Sequence, residues 1–189
     1  MKELLTSRNS TQDSRIFALA LLISSSFIYN SRGVIDGSAL DDLSLVANLT
    51  ELIHVKSASS LGDDASSLSQ FFPSFLWVLR DFTLRLEDEH GKRMNASQYL
   101  ENCLKPQPGF DESAAAKNKV RHYISQYFPE RDCLTMVRPA EDEALLKNLS
   151  NMTRSEMRPA FVKQVENLLD KVRTTIRPKQ MMGKTLNGE

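Results

Sequence analysis

Residues 71–82, FFPSFLWVLRDF, constrain this chain more than any other stretch. Positions 75–79 are an unbroken run of aromatic and branched apolar residues with Pro73 just ahead of it, the pattern of a strand buried on both faces. The run ends abruptly in Arg80 and Asp81. In open α/β sheets the carboxyl ends of the strands are where ligands bind, so a charge pair placed there is a candidate site. The competing reading is a pair that merely stops the strand.

The rest of the chain supplies strands and helices in alternation. Residues 27–29 form a second short apolar run closed by Asn30, Ser31 and Gly33, and 131–137, RDCLTMV, form a third with Arg138 and Pro139 directly after it. Between them, helical spacing of apolar residues predicts an amphipathic helix capped by Ser38 and reaching about Val55. It also predicts a brief helix opening at Asn95 or Ser97, a helix over 111–127 stopped by Pro129, and two more over 141–152 and 159–176. Residues 16–23 are apolar nearly all round, which predicts a buried helix starting from Asp13 as its cap. Residues 57–70 read as a surface loop, 83–86 as a short edge strand, and the tail from Pro178 as frayed. The fold class is α/β, with a parallel-type sheet. Three strands are fewer than a doubly wound domain usually carries, so the sheet reads as part of a larger one.

Charge and composition narrow the function. The chain of 189 residues carries 24 lysines and arginines against 24 aspartates and glutamates, so no net field favours nucleic acid or an anionic membrane. Cys103 and Cys133 form no CxxC and lie beside no histidine, and His54, His90 and His122 are isolated from one another. Metal, redox or histidine-based catalysis has little to work with, and reduced thiols in the cytoplasm are expected. The apolar run at 16–23 is too short to span a membrane and, with Asp13 ahead of it, does not read as a secretion signal. Without such a signal the Asn-x-Ser/Thr matches at Asn9, Asn48, Asn95, Asn148 and Asn151 read as chance.

Gly183-Lys184-Thr185 imitates the end of a phosphate-binding loop. That motif needs a glycine where Pro178 stands, a strand before it and a helix after it, and none of these is expected here. What remains are two strand-end features, Arg80-Asp81 and Arg138-Pro139. An aspartate at such an edge can accept from the N1–H and the exocyclic amine of guanine, a donor pair that adenine does not present. An arginine beside it can lie flat over the base.

DSRIFALALLISSSFIYNSRG, then FFPSFLWVLRDF, then Tyr127-Phe128-Pro129 with Cys133 and Arg138-Pro139, then RPAFVKQV, together resemble the large GTPase domain of guanylate-binding proteins, from about Gln12 to the C-terminus. The resemblance implies a partial P-loop-GTPase-like sheet in three layers, with helices on both faces, lacking the first strands that carry the phosphate-binding loop. It implies that residues 12–189 are the C-terminal part of that domain and that 1–11 lie outside it, disordered or unrelated. In this family a strand-end Arg-Asp pair replaces the usual Asn-Lys-x-Asp motif. By that match Asp81 reads guanine and Arg80 covers it, with Val78 standing where the family usually has threonine. The segment after Arg138-Pro139, up to about Leu149, corresponds to a guanine cap that also serves GTP-dependent dimerisation, although Val137 replaces an aspartate usual there.

The ligand so implied is GTP or GDP, with Mg²⁺ in the complete domain. The family's phosphate-binding loop, switch I threonine and DxxG precede the resembling segment, and none occurs in residues 1–10. Catalytic and metal-binding residues are therefore expected to be missing, and hydrolysis by this chain alone is expected to be slight. A central strand without its neighbour leaves an open apolar edge, which predicts poor solubility. Two readings follow. One is a truncated GTP-binding protein of this type, and the other a non-catalytic module that pairs with full-length relatives through its cap and outer helices.

Overall fold

The computed structural model describes residues 16, 19–44, 72–109, 111–181 and 184–186. β1 (Ser26–Arg32), β2 (Ser74–Arg80) and β3 (Arg131–Met136) form one parallel sheet in the order β1-β2-β3, so all three expected strands are present. β2 lies in the middle. Its side chains alternate between two apolar clusters, and every residue from Phe75 to Leu79 is buried, as a strand covered on both faces requires.

Phe75, Trp77 and Leu79 face the larger cluster. It is completed by Leu40 and Leu43 at α1 (Gly37–Asp42) and its C-cap, Leu100 of α2 (Ala96–Cys103), and Val120, Ile124 and Tyr127 of α3 (Glu112–Tyr127). Leu76, Val78 and Met136 face the other way, against Phe161, Val165, Leu168 and Val172 of α5 (Pro159–Thr175). Helices thus cover both faces of an open parallel sheet, the P-loop-GTPase-like α/β architecture that the resemblance implies.

Helix starts follow local chemistry. Asn95 caps α2 in a reciprocal box with Gln98, Asp111 caps α3 by accepting from the Ala114 amide at 2.6 Å, and Pro159 occupies the first turn of α5. At α1 the cap is Asp36, which accepts from the Ala39 amide at 2.9 Å, rather than Ser38. The part of that helix expected beyond residue 44 lies outside the described residues, as do Asp13, His54 and the loop at 57–70.

Four expectations are corrected. The helical turn ending at Ile23 is not buried all round: Leu21 is, while Ile16, Leu19 and Ile23 are more than half exposed. Residues 83–86 form no strand. An isolated bridge between Glu87 and Arg93 instead closes a turn in which Asp88 Oδ1 accepts from the amides of His90 and Lys92, at Gly91 with a φ of 74°. The single helix expected over 141–152 is the one-turn α4 (Glu143–Leu146) followed by 3₁₀ turns at Leu149–Asn151 and Arg154–Glu156. The tail is not frayed throughout, because β4 (Gln180–Met181) and β5 (Lys184–Thr185) pair antiparallel and Lys179 Nζ donates to the Ser24 carbonyl at 2.9 Å. Lys184 and Thr185 therefore sit in a small ribbon, a geometry unlike a strand-to-helix phosphate cradle.

Asp132 fastens the two helical layers around the β3 edge. Its carboxylate accepts from Ser97 of α2 and from its neighbour's amide, Cys133, and pairs with Lys171 of α5. Burial alone would raise its pKa. The hydrogen bonds from Lys171, Ser97 and Cys133 outweigh that and hold it below the ordinary carboxylate range. A depressed folded-state pKa contributes stability above the unfolded value and loses it as pH falls through the folded one. Asp132→Asn is accordingly expected to lower unfolding free energy by about 1–2 kcal/mol at neutral pH. Urea titration should show that deficit shrinking as the pH drops below the ordinary carboxylate range.

Candidate functional site

At the carboxyl ends of the strands the backbone takes an unusual turn. Asp81 has a φ of 55°, the one positive value at a residue other than glycine among the described residues. An aspartate tolerates this left-handed conformation better than most side chains, and such conformations concentrate at functional sites. Both flanks are tied down. The Gly33 amide donates to the Arg80 carbonyl at 2.6 Å, and the Phe82 amide donates to the Met136 carbonyl at 2.9 Å. The turn at Asp81 is therefore fixed to the ends of β1 and β3 at once.

The side chains are fixed as well. Arg80 Nε donates to Asn30 Oδ1 at 2.8 Å, and Arg32 Nε donates to Asp81 Oδ2 at 3.0 Å. Asn30 and Arg32 lie on the same face of β1 as Arg80, and Arg32 is in register with Arg80 across the parallel pair. Asp81 is about one quarter exposed, whereas the Arg32 side chain is 72% exposed.

Arg138 and Pro139 follow β3 and lie across the same cleft, so the structure brings together all four residues singled out in the sequence. The segment that starts there is closed at its neck, where the Arg158 amide donates to the Pro139 carbonyl at 2.8 Å, and the Val137 amide is taken by Gln164 Oε1 of α5 at 2.8 Å. Between the strand ends and this segment is a cleft of about 530 Å³. Its polar lining consists of Arg32, Arg80, Arg138 and Lys147 against Asp81 and Glu143, so cations predominate. Its apolar lining includes Leu146, Leu149 and Phe161. Such a cleft suits a flat, partly apolar group with an anionic extension.

Arg32, Asn30 and Phe161 were not singled out in the sequence. The rule that pointed to Arg80 and Asp81, a polar residue at a strand's carboxyl end, applies equally to the end of β1, and would have found Arg32. Volume alone does not choose this site, since a shallower depression of about 790 Å³ lies beside the start of α5. There Arg154 and Glu166 pair with each other, and no strand end contributes.

Other chemistry finds little support among the described residues. No three His, Cys, Asp or Glu side chains converge on a point that could hold a metal ion. Burial pushes the Cys133 thiol up to about 12 and raises that of Cys103, so neither is an activated nucleophile. Among the described residues no helix is long and apolar enough to cross a membrane.

Comparison with known proteins supplies the remaining link. Residues 5–179 match the family described as guanylate-binding protein, N-terminal domain. The chain is similar to human guanylate-binding protein 7, at 39% identity over 171 residues covering 89% of this chain and 27% of that protein. It is also similar to mouse guanylate-binding protein 2, at 42% identity over 159 residues covering 83% of this chain and 27% of that protein. It thus spans about a quarter of the length of these relatives. A domain match over most of its length, on an open parallel sheet, means that the chain belongs to the guanylate-binding protein family.

Proposed function

We propose that this chain binds guanine nucleotides in the cleft at the carboxyl ends of its strands, as the guanine-reading C-terminal part of a large GTPase domain. Asp81 accepts from the N1–H and 2-amino group of the base, Arg80 lies over its face, and Arg138 and Pro139 begin the segment that caps it. The observation that carries this reading is the fixed turn at Asp81, whose carboxylate stands at the mouth of a cleft lined by cations and apolar side chains.

The chemistry is recognition by matched donors and acceptors. Guanine offers two adjacent donors to a carboxylate, while adenine turns a ring-nitrogen lone pair toward it and leaves the carboxylate unpaired. Arg80 is braced by Asn30, so less of its rotamer freedom remains to be lost when the base arrives. The cationic lining favours a ligand that carries phosphate. GTP with Mg²⁺ is the ligand of the complete domain in this reading. Among the described residues no three His, Cys, Asp or Glu side chains converge to hold the metal, and the proposal assigns base recognition and no step of phosphoryl transfer.

Calorimetric titration of the chain with GDP and with ADP tests this. GDP is expected to bind at least about tenfold tighter, in line with the penalty for an unpaired carboxylate. Equal affinities, or a preference for ADP, would refute base reading by Asp81.

A second reading, a module that pairs with another protein, is favoured by the exposed Ile16, Leu19 and Ile23 ahead of β1 and the exposed Ile28 on it, an edge strand among the described residues. A concentration-dependent mass with no guanine preference would support it over the first.

A further inference from the structure

Reading guanine takes both oxygens of the carboxylate, one for each donor of the base. One of them is already engaged. Arg32 Nε sits 3.0 Å from Asp81 Oδ2, and Arg32 lines the same cleft. The contact spans 49 positions of sequence and exists because the parallel register sets the last residue of β1 beside the last residue of β2. The two partners are held very differently. Asp81 is fixed by a backbone tied to β1 and β3, whereas Arg32 reaches it from a largely exposed, flexible stem.

We infer that Arg32 is a latch on the guanine-reading carboxylate: it occupies Asp81 in the unliganded chain, and a guanine base must displace it to bind. This inference rests on the proposed role of Asp81. An incoming base cannot move the clamped aspartate, so the mobile arginine is the partner that yields. An exposed ion pair is weak, so the latch lowers affinity modestly and does not block the site. It also compensates Asp81 while the cleft is empty. A ligand lacking two adjacent donors gains too little from the carboxylate to release it. Only a base with two adjacent donors opens the pair, so the latch lowers affinity for guanine nucleotides in particular and moderates the margin over other bases.

Because the latch is a contact between charges, salt weakens it. Salt also weakens the attraction of phosphate for the cationic lining, so the informative quantity is the ratio between two proteins whose lining differs only at position 32. The full chain and its Arg32→Met variant would be titrated with GDP at about 0.05 and about 0.5 M salt, where screening is slight and strong respectively. The variant is expected to bind about two- to fivefold tighter at low salt, with the ratio approaching one at high salt. In the wild-type chain, the NMR signal of the Arg32 Nε–H should be hydrogen-bonded before GDP is added and shift to a solvent-exposed position at saturation.

Weaker or unchanged binding by Arg32→Met at low salt would overturn the latch, as would an Arg32 signal that ignores GDP. Asp81→Asn separates the two levels. If GDP binds that variant as tightly as wild type, or binds neither, base reading fails and the latch fails with it. If Asp81→Asn loses GDP while Arg32→Met gains nothing, only the latch is wrong.

Discussion

Asp81→Asn is expected to exchange the purine that the cleft selects: GDP affinity should fall about 100-fold, and xanthosine diphosphate should bind in its place. A carboxylate presents two acceptors and matches the two donors of guanine. An amide presents one acceptor and one donor, which match the N1–H and the 2-carbonyl of xanthine. Each hydrogen bond to a charged acceptor is worth about 1.5–3 kcal/mol, so losing one and setting two donors against each other accounts for about two orders of magnitude. The substitution also separates recognition from folding. Asparagine tolerates the left-handed conformation that position 81 adopts at a φ of 55°, and its volume is nearly the same. The melting temperature should therefore move by no more than about 2 °C, as for a roughly 0.5 kcal/mol change in a domain of this size. Paired titrations with GDP and xanthosine diphosphate decide the matter. A variant that keeps its GDP affinity would mean that Asp81 only terminates β2.

The three strands are legible locally, whereas the contacts set by register are not. β1, β2 and β3 appear in the sequence as bounded apolar runs because each is a continuous segment whose burial is decided by its own side chains. Arg80 and Asp81 stand out because charge follows the apolar run immediately. The Arg32–Asp81 and Arg80–Asn30 contacts cannot be read this way. They join positions 49 and 50 apart, and they depend on the parallel alignment of β1 with β2, which no local pattern encodes. Nor does periodicity distinguish the apolar turn ending at Ile23 from a core helix, since exposure depends on what packs against it.

The helix expected over 141–152 is broken for another reason. Its apolar residues Leu145, Leu146 and Leu149 keep helical spacing, yet Leu145 and Leu149 are exposed and little burial offsets the entropy of a longer helix. The chain instead breaks into α4 and two 3₁₀ turns, which leaves a segment anchored at Pro139 and Arg158 over the cleft. A segment with so little burial belongs to the less stable parts of a fold.

The site depends most heavily on Trp77, three residues before Arg80. Trp77 is fully buried, packs edge-on against Tyr29 of β1 at 5.3 Å and Phe75 at 5.9 Å, and donates its indole N–H to Ser31 Oγ at 2.8 Å. It therefore fastens β2 to β1 by both packing and a hydrogen bond. The same two strands carry Arg80, Asn30, Arg32 and Asp81. Trp77→Ala is expected to cost about 3–5 kcal/mol, from lost apolar burial and a large cavity. That is a major share of the roughly 5–15 kcal/mol that holds a typical domain together. For a chain of this length the melting temperature should drop by about 6–20 °C, measured by circular dichroism because Trp77 is the one tryptophan. Trp77→Phe keeps most of the ring volume and leaves the Ser31 hydroxyl without its donor, so its cost should stay near 1–2 kcal/mol. The graded pair locates the effect. If Trp77→Ala melts within about 2 °C of wild type, less than a 1 kcal/mol loss would produce, the β1–β2 packing does not hold the sheet. The strand ends would then need another source for the rigidity of Asp81.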